Sequence, residues 1–319
     1  MIRRVLLYLL RRIAIGIGLL LLVSIIVFVA ITVLPGDAAT AVLGRNATPE
    51  RIAALQAKLH LDEPPVMRYL IWLGGVLQGD LGTSLTSSQP VADLLLPRLR
   101  NSLILAGTAC VIMVPLGIWL GSLTGAKAGS VRDRSLSTGS LVFLSAPDFV
   151  IAAGLIVVFA TWLHVLPPVS LFDPEAGPLS RPPALILPVL TLVISGTGYI
   201  VRIVRASVAT AMQSDIVGQA RLNGFPERVV VRRFALRNSL AAAIQVSALM
   251  LLYLIAGVVV IETVFSYPGI GQLAVSATAN RDFILLQSLI LFSAAIFVVV
   301  NIVTDLVIHL VTPRLRTAL

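Results

Sequence analysis

The sequence predicts an all-α, polytopic membrane protein, and three observations lead there. The 319 residues are 57% hydrophobic and 12% charged, with a mean hydropathy of +0.98, a balance suited to lipid rather than water. Six apolar runs have about the length, roughly 20 residues, that a helix needs to cross a hydrocarbon core of about 30 Å. None shows the alternating pattern of a barrel strand, and unbroken stretches such as LLLLVSIIVFVAITVL satisfy their backbone groups only as helices.

The first run, Ile13 to Leu34, follows Arg3, Arg4, Arg11 and Arg12. Such an arrangement opens a secretory signal as well, but the run exceeds the roughly 7–15 residues of a signal core, so it is read as an anchor. Residues 1–34 form the N-terminal segment and first span. Residues 35–100 are too polar to span, yet carry apolar periodicity. Thr48 and Pro49 suit a helix start with Ile52, Leu55 and Leu59 on one face, and a second amphipathic stretch follows from Pro65 with Val66, Tyr69, Leu70, Leu73 and Val76. These helices either cover the bundle or leave one face for a soluble partner.

Residues 101–311 hold the other five runs: Leu103–Thr124, Leu136–Leu163, Leu185–Val201, Ala241–Thr263 and Leu285–Val311. Gly117, Gly121 and Gly125 recur every fourth residue on the second, which favours close helix packing over pore lining. Pro147 interrupts the third run and frees backbone groups beside Asp148. An ionisable group there either contacts substrate and water, or makes an interhelical hydrogen bond or sits near the outer interface, and the second reading is favoured. Residues 312–319 are a short tail.

Orientation follows the distribution of Arg and Lys. The N-terminus, the loop with Lys127, Arg132 and Arg134, the stretch from Arg202 to Arg237, and the tail with Arg314 and Arg316 carry most of the cations. The alternate segments mix Arg45, Arg51, Lys58, Arg68, Arg98, Arg100, Arg181 and Arg281 with most of the acids, among them Asp62, Glu63, Asp80, Asp93, Asp173, Glu175 and Asp282. Both termini are therefore expected in the cytoplasm and residues 35–100 outside. The net charge of +9 marks the inner membrane face; no basic and aromatic interleaving points to nucleic acid.

Several chemistries lack their residues. The one cysteine, Cys110, forms no intrachain disulfide, and His60, His164 and His309 stand apart without metal-ligand spacing. Ser24, Ser195 and Ser247 have no nucleophile motif around them, so no catalytic residue is assigned. A phosphate-holding loop needs a lysine followed by Ser or Thr, but Lys58 precedes Leu59 and Lys127 precedes Ala128. The chain does not hydrolyse ATP itself; an ion gradient or a separate ATPase must drive any transport.

Residues 209–240 predict a protruding knuckle of two short helices. Ser214 or Asp215 caps the first, Gly224 ends it in the left-handed conformation, and Pro226 opens the next. Ala220 and Gly224 are small, Phe225 offers an apolar plug, and Arg221, Arg228, Arg232 and Arg233 suit acidic groups or lipid phosphates. Composition alone favours an ordinary positive-inside loop.

Four segments bear a resemblance. RRIAIGIGLLLLVSIIVFVAITVLPGD with its Leu34, Pro35, Gly36, Asp37 exit, LHLDEPPVMRYLIWLGGVLQGDLGTSL from Leu59 to Leu85, IETVFSYPGIGQL from Ile261 to Leu273, and DLVIHLVTPRLR from Asp305 stand in the order found in one family. The chain resembles, over nearly its whole length, the permease subunits of bacterial ABC importers for dipeptides, oligopeptides and nickel. The knuckle then corresponds to the EAA motif: Ala220 and Gly224 match it, Gly218 and Gln219 replace its acidic residue and first alanine, and Leu236, Arg237 and Asn238 fit the L-R-N variant of the peptide branch.

The resemblance implies a type I ABC importer transmembrane fold in the bacterial inner membrane. It implies a non-catalytic subunit that forms half of a peptide pathway, with a second homologous permease, two ABC ATPase subunits carrying ATP and Mg, and an extracytoplasmic solute-binding protein as partners. No cofactor is expected on this chain. Asp215, Ala220, Arg221, Gly224, Phe225, Pro226 and Glu227 are the expected ATPase-coupling residues, while Asp148, Glu262, Tyr267, Pro268 and Gly269 are candidates for the substrate pathway. Nickel, glutathione and other small solutes stay open as cargo. An ion-driven secondary transporter would show inverted repeats, and none is visible.

Overall fold

In a computed structural model, residues 2–33, 48 and 63–311 are described. The Leu34–Asp37 exit, the first amphipathic stretch from Pro49 to Leu59, Arg45, Arg51, Lys58, and the tail with Arg314 and Arg316 lie outside them. The described residues are helical throughout, apart from turns and one isolated bridge between Thr83 and Pro90. The elements are α1 (Ile2–Val33), α2 (Pro65–Gln78), α3 (Val91–Ala126), α4 (Val131–Ser145), α5 (Asp148–Leu155) continued by a π-helical turn (Ile156–Trp162), and α6 (Pro183–Met212). Then come α7 (Asp215–Leu222), α8 (Glu227–Val229) with a π-helical turn (Val230–Ala235), α9 (Leu236–Val264), α10 (Ile270–Ala279) and α11 (Phe283–Val311).

Among the described residues four helices are long and apolar enough to cross a membrane, at Leu7–Val33, Val91–Ala126, Pro183–Met212 and Phe283–Leu306; α4 with α5 makes a fifth if counted as one span. That pair bends by 101°, at the Pro147 break expected within the run from Leu136 to Leu163. Ala146 is extended because the ring of Pro147 disfavours the helical region for its predecessor, and Pro147 has no N–H to continue the ladder. The run expected at Ala241–Thr263 lies on α9, whose described apolar stretch is Ala242–Leu251.

The chain divides into two compact units. The first holds Met1–Asn101 and Pro268–Val299. The amphipathic stretch expected from Pro65 is α2, opened by proline and closed by Gly79 at φ 86°, a left-handed stop that glycine takes without strain. Tyr69 of α2 meets Phe28 edge-on at 5.4 Å, and its hydroxyl lies 2.8 Å from the Ser24 hydroxyl. Leu81, Val91, Leu95, Leu273, Ala277, Leu285 and Leu289 form this unit's core. Above it, buried Asp282 accepts hydrogen bonds from Ser84 Oγ at 2.5 Å and Thr86 Oγ1 at 2.9 Å, fixing the loop before α3.

The second unit, Ser102–Tyr267 and Val300–Leu319, is built around α6. Gly117, Gly121 and Gly125 of α3 face it: a Cβ on each would stand 2.6 Å from Ile200, 2.8 Å from Val204 and 2.8 Å from Val208 respectively. The glycine stripe is thus a packing surface, as expected. Gly198 of α6 approaches α4 equally closely, with the Ser140 carbonyl 2.9 Å from the place of a Cβ. Asp133, buried at the start of α4, accepts from Arg205 Nε and Nη2 and from the Gly129 amide, which ties the α3–α4 turn to α6. Asp305, near the end of α11, is half-buried.

Candidate functional site

The knuckle grows out of the C-terminal end of α6. Ser214 is extended at φ −75°, ψ 152°, as an N-cap should be, but its hydroxyl donates back to the Ala211 carbonyl at 2.7 Å instead of receiving an amide of α7. The last turn of α6 satisfies it first. Asp215 occupies the first turn of α7, where its charge suits the positive end of the helix. Val217 and Ala220 point inward and are buried beside Val230 and Ala235 in the unit's core. α7 exposes Ile216 at 44% on its flank and Leu222 at 88% on the reverse side, so a helix of eight residues presents apolar side chains to both sides.

Gly224, at φ 77°, turns the chain after α7. Its amide donates to the Arg221 carbonyl at 3.0 Å and the next amide, of Phe225, returns to Ala220 at 3.2 Å, which closes the otherwise unpaired helix end. Pro226 is the N-cap of α8 rather than its first residue, and its carbonyl accepts from Val229 and Val230. Phe225 is 42% exposed and packs against Phe234 with ring centroids 5.6 Å apart. Across the turn, Arg221 Nη2 donates to Glu227 Oε1 at 2.7 Å and Nε to Oε2 at 3.2 Å. This fork holds the Glu227 carboxyl below its usual range and the Arg221 guanidinium above its own.

Asp215, Ala220, Arg221, Gly224, Phe225, Pro226 and Glu227 are therefore gathered on one turn, with Ala220 facing into the unit. Sequence reading missed the exposure of Ile216 and Leu222, although Leu222 falls opposite the Val217 and Ala220 face at helical spacing. It also missed the Arg221–Glu227 pair, because two residues six apart meet only after the Gly224 turn has reversed the chain.

The pathway candidates divide. Asp148 opens α5 and accepts a hydrogen bond from the Tyr253 hydroxyl of α9 at 2.7 Å, with Tyr253 45% exposed. Glu262 and Tyr267 are both 0% exposed. Ser102 Oγ donates to Glu262 Oε1 at 2.5 Å, the Tyr267 amide donates to the Glu262 carbonyl at 2.7 Å, and the Tyr267 ring meets Phe172 edge-on at 5.2 Å. Burial, with the Glu262 charge adding to it, pushes the Tyr267 hydroxyl well up. Neither side chain offers surface in this chain. Pro268 and Gly269 belong to the first unit, where the Pro268 carbonyl accepts from Asn101 Nδ2 at 3.0 Å and Gly269 is the N-cap of α10. Among the described residues, no group of three His, Cys, Asp or Glu is placed to hold a metal ion.

Residues 113–317 match the family described as binding-protein-dependent transport system inner membrane component, and residues 5–106 match the family of its N-terminal region. The chain belongs to this family of inner-membrane transport components. It is a multi-pass membrane protein with the type I ABC permease fold. A probable peptide ABC transporter permease protein of Sinorhizobium fredii is 33% identical over 309 residues, covering 97% of this chain and 99% of the relative. A putative peptide transport system permease protein of Brucella abortus is 33% identical over 307 residues, 96% and 98% of the two chains. The oligopeptide transport system permease protein of Bacillus subtilis is 30% identical over 312 residues, 97% and 99%.

Proposed function

We propose that this permease forms half of the pathway of an ATP-driven importer of peptides, with a second permease supplying the other half and two ATPase subunits, which carry the ATP and Mg, supplying the work. A binding protein delivers the cargo from outside. The chain has six spans, α1, α3, the α4–α5 pair, α6, α9 and α11, with both termini in the cytoplasm, residues 35–100 outside, and the knuckle of residues 209–240 at the inner face. Relatives named as peptide permeases along their whole length support the cargo class.

The observation that carries the coupling role is the two-sided α7. Val217 and Ala220 lock the inner side into the core around α6 and α9, while Leu222 and Phe225 stand outward on a closed Gly224 turn. An ATPase cleft closing on that outer side moves a body fastened to two spans, and a displacement of packed helices alternates access between the two faces. Asp148 is the pathway candidate with accessible surface; Glu262, Tyr267, Pro268 and Gly269 act by shaping the loop at the outer end of α9.

The test is peptide uptake into proteoliposomes holding the complete importer. Gly224→Val forces a β-branched residue to φ 77° and should abolish uptake with the permease still inserted and abundant. Wild-type uptake by that variant, or uptake without ATP, would defeat the reading. A panel of peptides, glutathione and nickel complexes in the same vesicles decides the cargo.

A further inference from the structure

Beyond the knuckle, Arg228, Val229, Arg232, Arg233, Leu236 and Arg237 line an open groove of about 680 Å³. All four arginines are exposed. Among the described residues no carboxylate pairs with them, whereas Arg205 and Arg221 in the same unit each hold one. The groove thus gathers four cations and two half-buried apolar side chains without a compensating acid.

The π-helical turn Val230–Ala235 explains the gathering. On an uninterrupted α-helix of 3.6 residues per turn, Arg228 and Arg237 would point about 180° apart. The i→i+5 hydrogen bonding of the π turn winds the chain more slowly, so that Arg232 and Arg233 come round with Arg228, and Arg237 follows them to the same side. An inserted turn of this kind costs helix regularity, and here its product is a concave basic surface.

We propose that this groove binds the phosphate of anionic phospholipid headgroups in the leaflet next to it. Guanidinium forks match phosphate oxygens two at a time, and Val229 and Leu236 provide the apolar floor that a glycerol backbone and upper acyl chain require. Position agrees: Arg237 precedes the apolar run that starts at Ala241 by about 6 Å of helix and Arg233 by about 12 Å, at and just beyond headgroup depth. Clustered arginines beside the cytoplasmic end of a span attract anionic lipid in this way. Which leaflet is bound rests on the orientation proposed above.

The experiment is native mass spectrometry of the full-length chain, purified in neutral detergent and equilibrated with equal phosphatidylglycerol and phosphatidylcholine. Wild type should retain phosphatidylglycerol preferentially. Arg232→Gln, Arg233→Gln and Arg237→Gln together should lower that retention about a hundredfold, and Arg232→Gln alone about fivefold, with a smaller loss of the zwitterionic phosphatidylcholine. The single variant carries the test if the triple one fails to insert. Arg132→Gln with Arg134→Gln, exposed cations outside the groove, should behave as wild type.

Equal loss in that control pair, undiminished retention in the groove variants, or displacement of the lipid by millimolar inorganic phosphate would overturn the proposal. So would a groove variant that keeps its lipid but loses its ATPase partners, which would give the surface to protein instead. Failure of peptide uptake in every variant strikes the transport reading alone, because the lipid ratio is read without transport.

Discussion

Gly121 of α3 lies against Val204 of α6 so closely that a Cβ at position 121 would stand 2.8 Å from the Val204 Cβ and 3.0 Å from the Val201 carbonyl oxygen. One of those neighbours is backbone and the other is a β-branched carbon, so neither can swing away. Gly121→Ala should destabilise the second unit by about 1–3 kcal/mol through overpacking. Thermal unfolding in detergent against Gly139→Ala, whose Cβ meets nothing within 4 Å, isolates the effect. Equal midpoints for the two variants would show that α3 and α6 are not held at this distance.

Asp133→Ala removes the only carboxylate that Arg205 meets among the described residues and frees the Gly129 amide as well. Full loss of a buried ion pair costs several kcal/mol, but the Arg205 side chain is 34% exposed and regains water. A loss of about 2 kcal/mol is expected. Chemical denaturation of the variant, with Arg134→Ala as the exposed control, measures it.

The Arg221–Glu227 pair makes local stability of the knuckle depend on pH. Folding lowers the Glu227 carboxyl from its ordinary 4.5. Its contribution is therefore complete above that value and disappears as pH falls through the depressed folded one. Both side chains are about half exposed, so the amount is small, about 0–1 kcal/mol. Amide exchange of residues 215–227, corrected for intrinsic rates, should show wild type more protected than Glu227→Gln at neutral pH and the two converging in acid. A difference that persists below the folded value would assign the protection to something other than the charge.

Tyr253→Phe leaves Asp148 without the hydroxyl that it accepts from at 2.7 Å, at a stability cost of about 1 kcal/mol. If Asp148 lines the pathway, Asp148→Asn lowers peptide uptake severalfold at unchanged membrane abundance, and Tyr253→Phe, which keeps the charge, lowers it less. Matching uptake in Asp148→Asn and wild type reduces the pair to a packing contact.

Much of the local structure was legible beforehand because its causes are local. Gly224 stops α7 where a left-handed residue is needed, and Pro147 ends α4 through its own missing N–H. Other features were hidden because their partners are remote in sequence. Glu262 and Tyr267 read as residues of an outer loop, yet Ser102 and Phe172 close over them from other elements. The π-helical turn at Val230–Ala235 has no residue signature of its own; it is a slip of hydrogen bonding that leaves Val230 and Ala235 buried while the arginines face the groove.

By itself, the sequence determined the solvent, the helical class and the places where helices start and stop, since hydropathy, Gly and Pro act within a few residues and independently of the rest of the chain. Only the tertiary structure decided which helix meets the glycine stripe, how sharply α4 and α5 part, which side of α7 is free, and that four arginines share one groove. The first and third depend on close packing between segments far apart in sequence, where a few tenths of an ångström decide the fit, and the second and fourth on how a local break in helical hydrogen bonding is resolved.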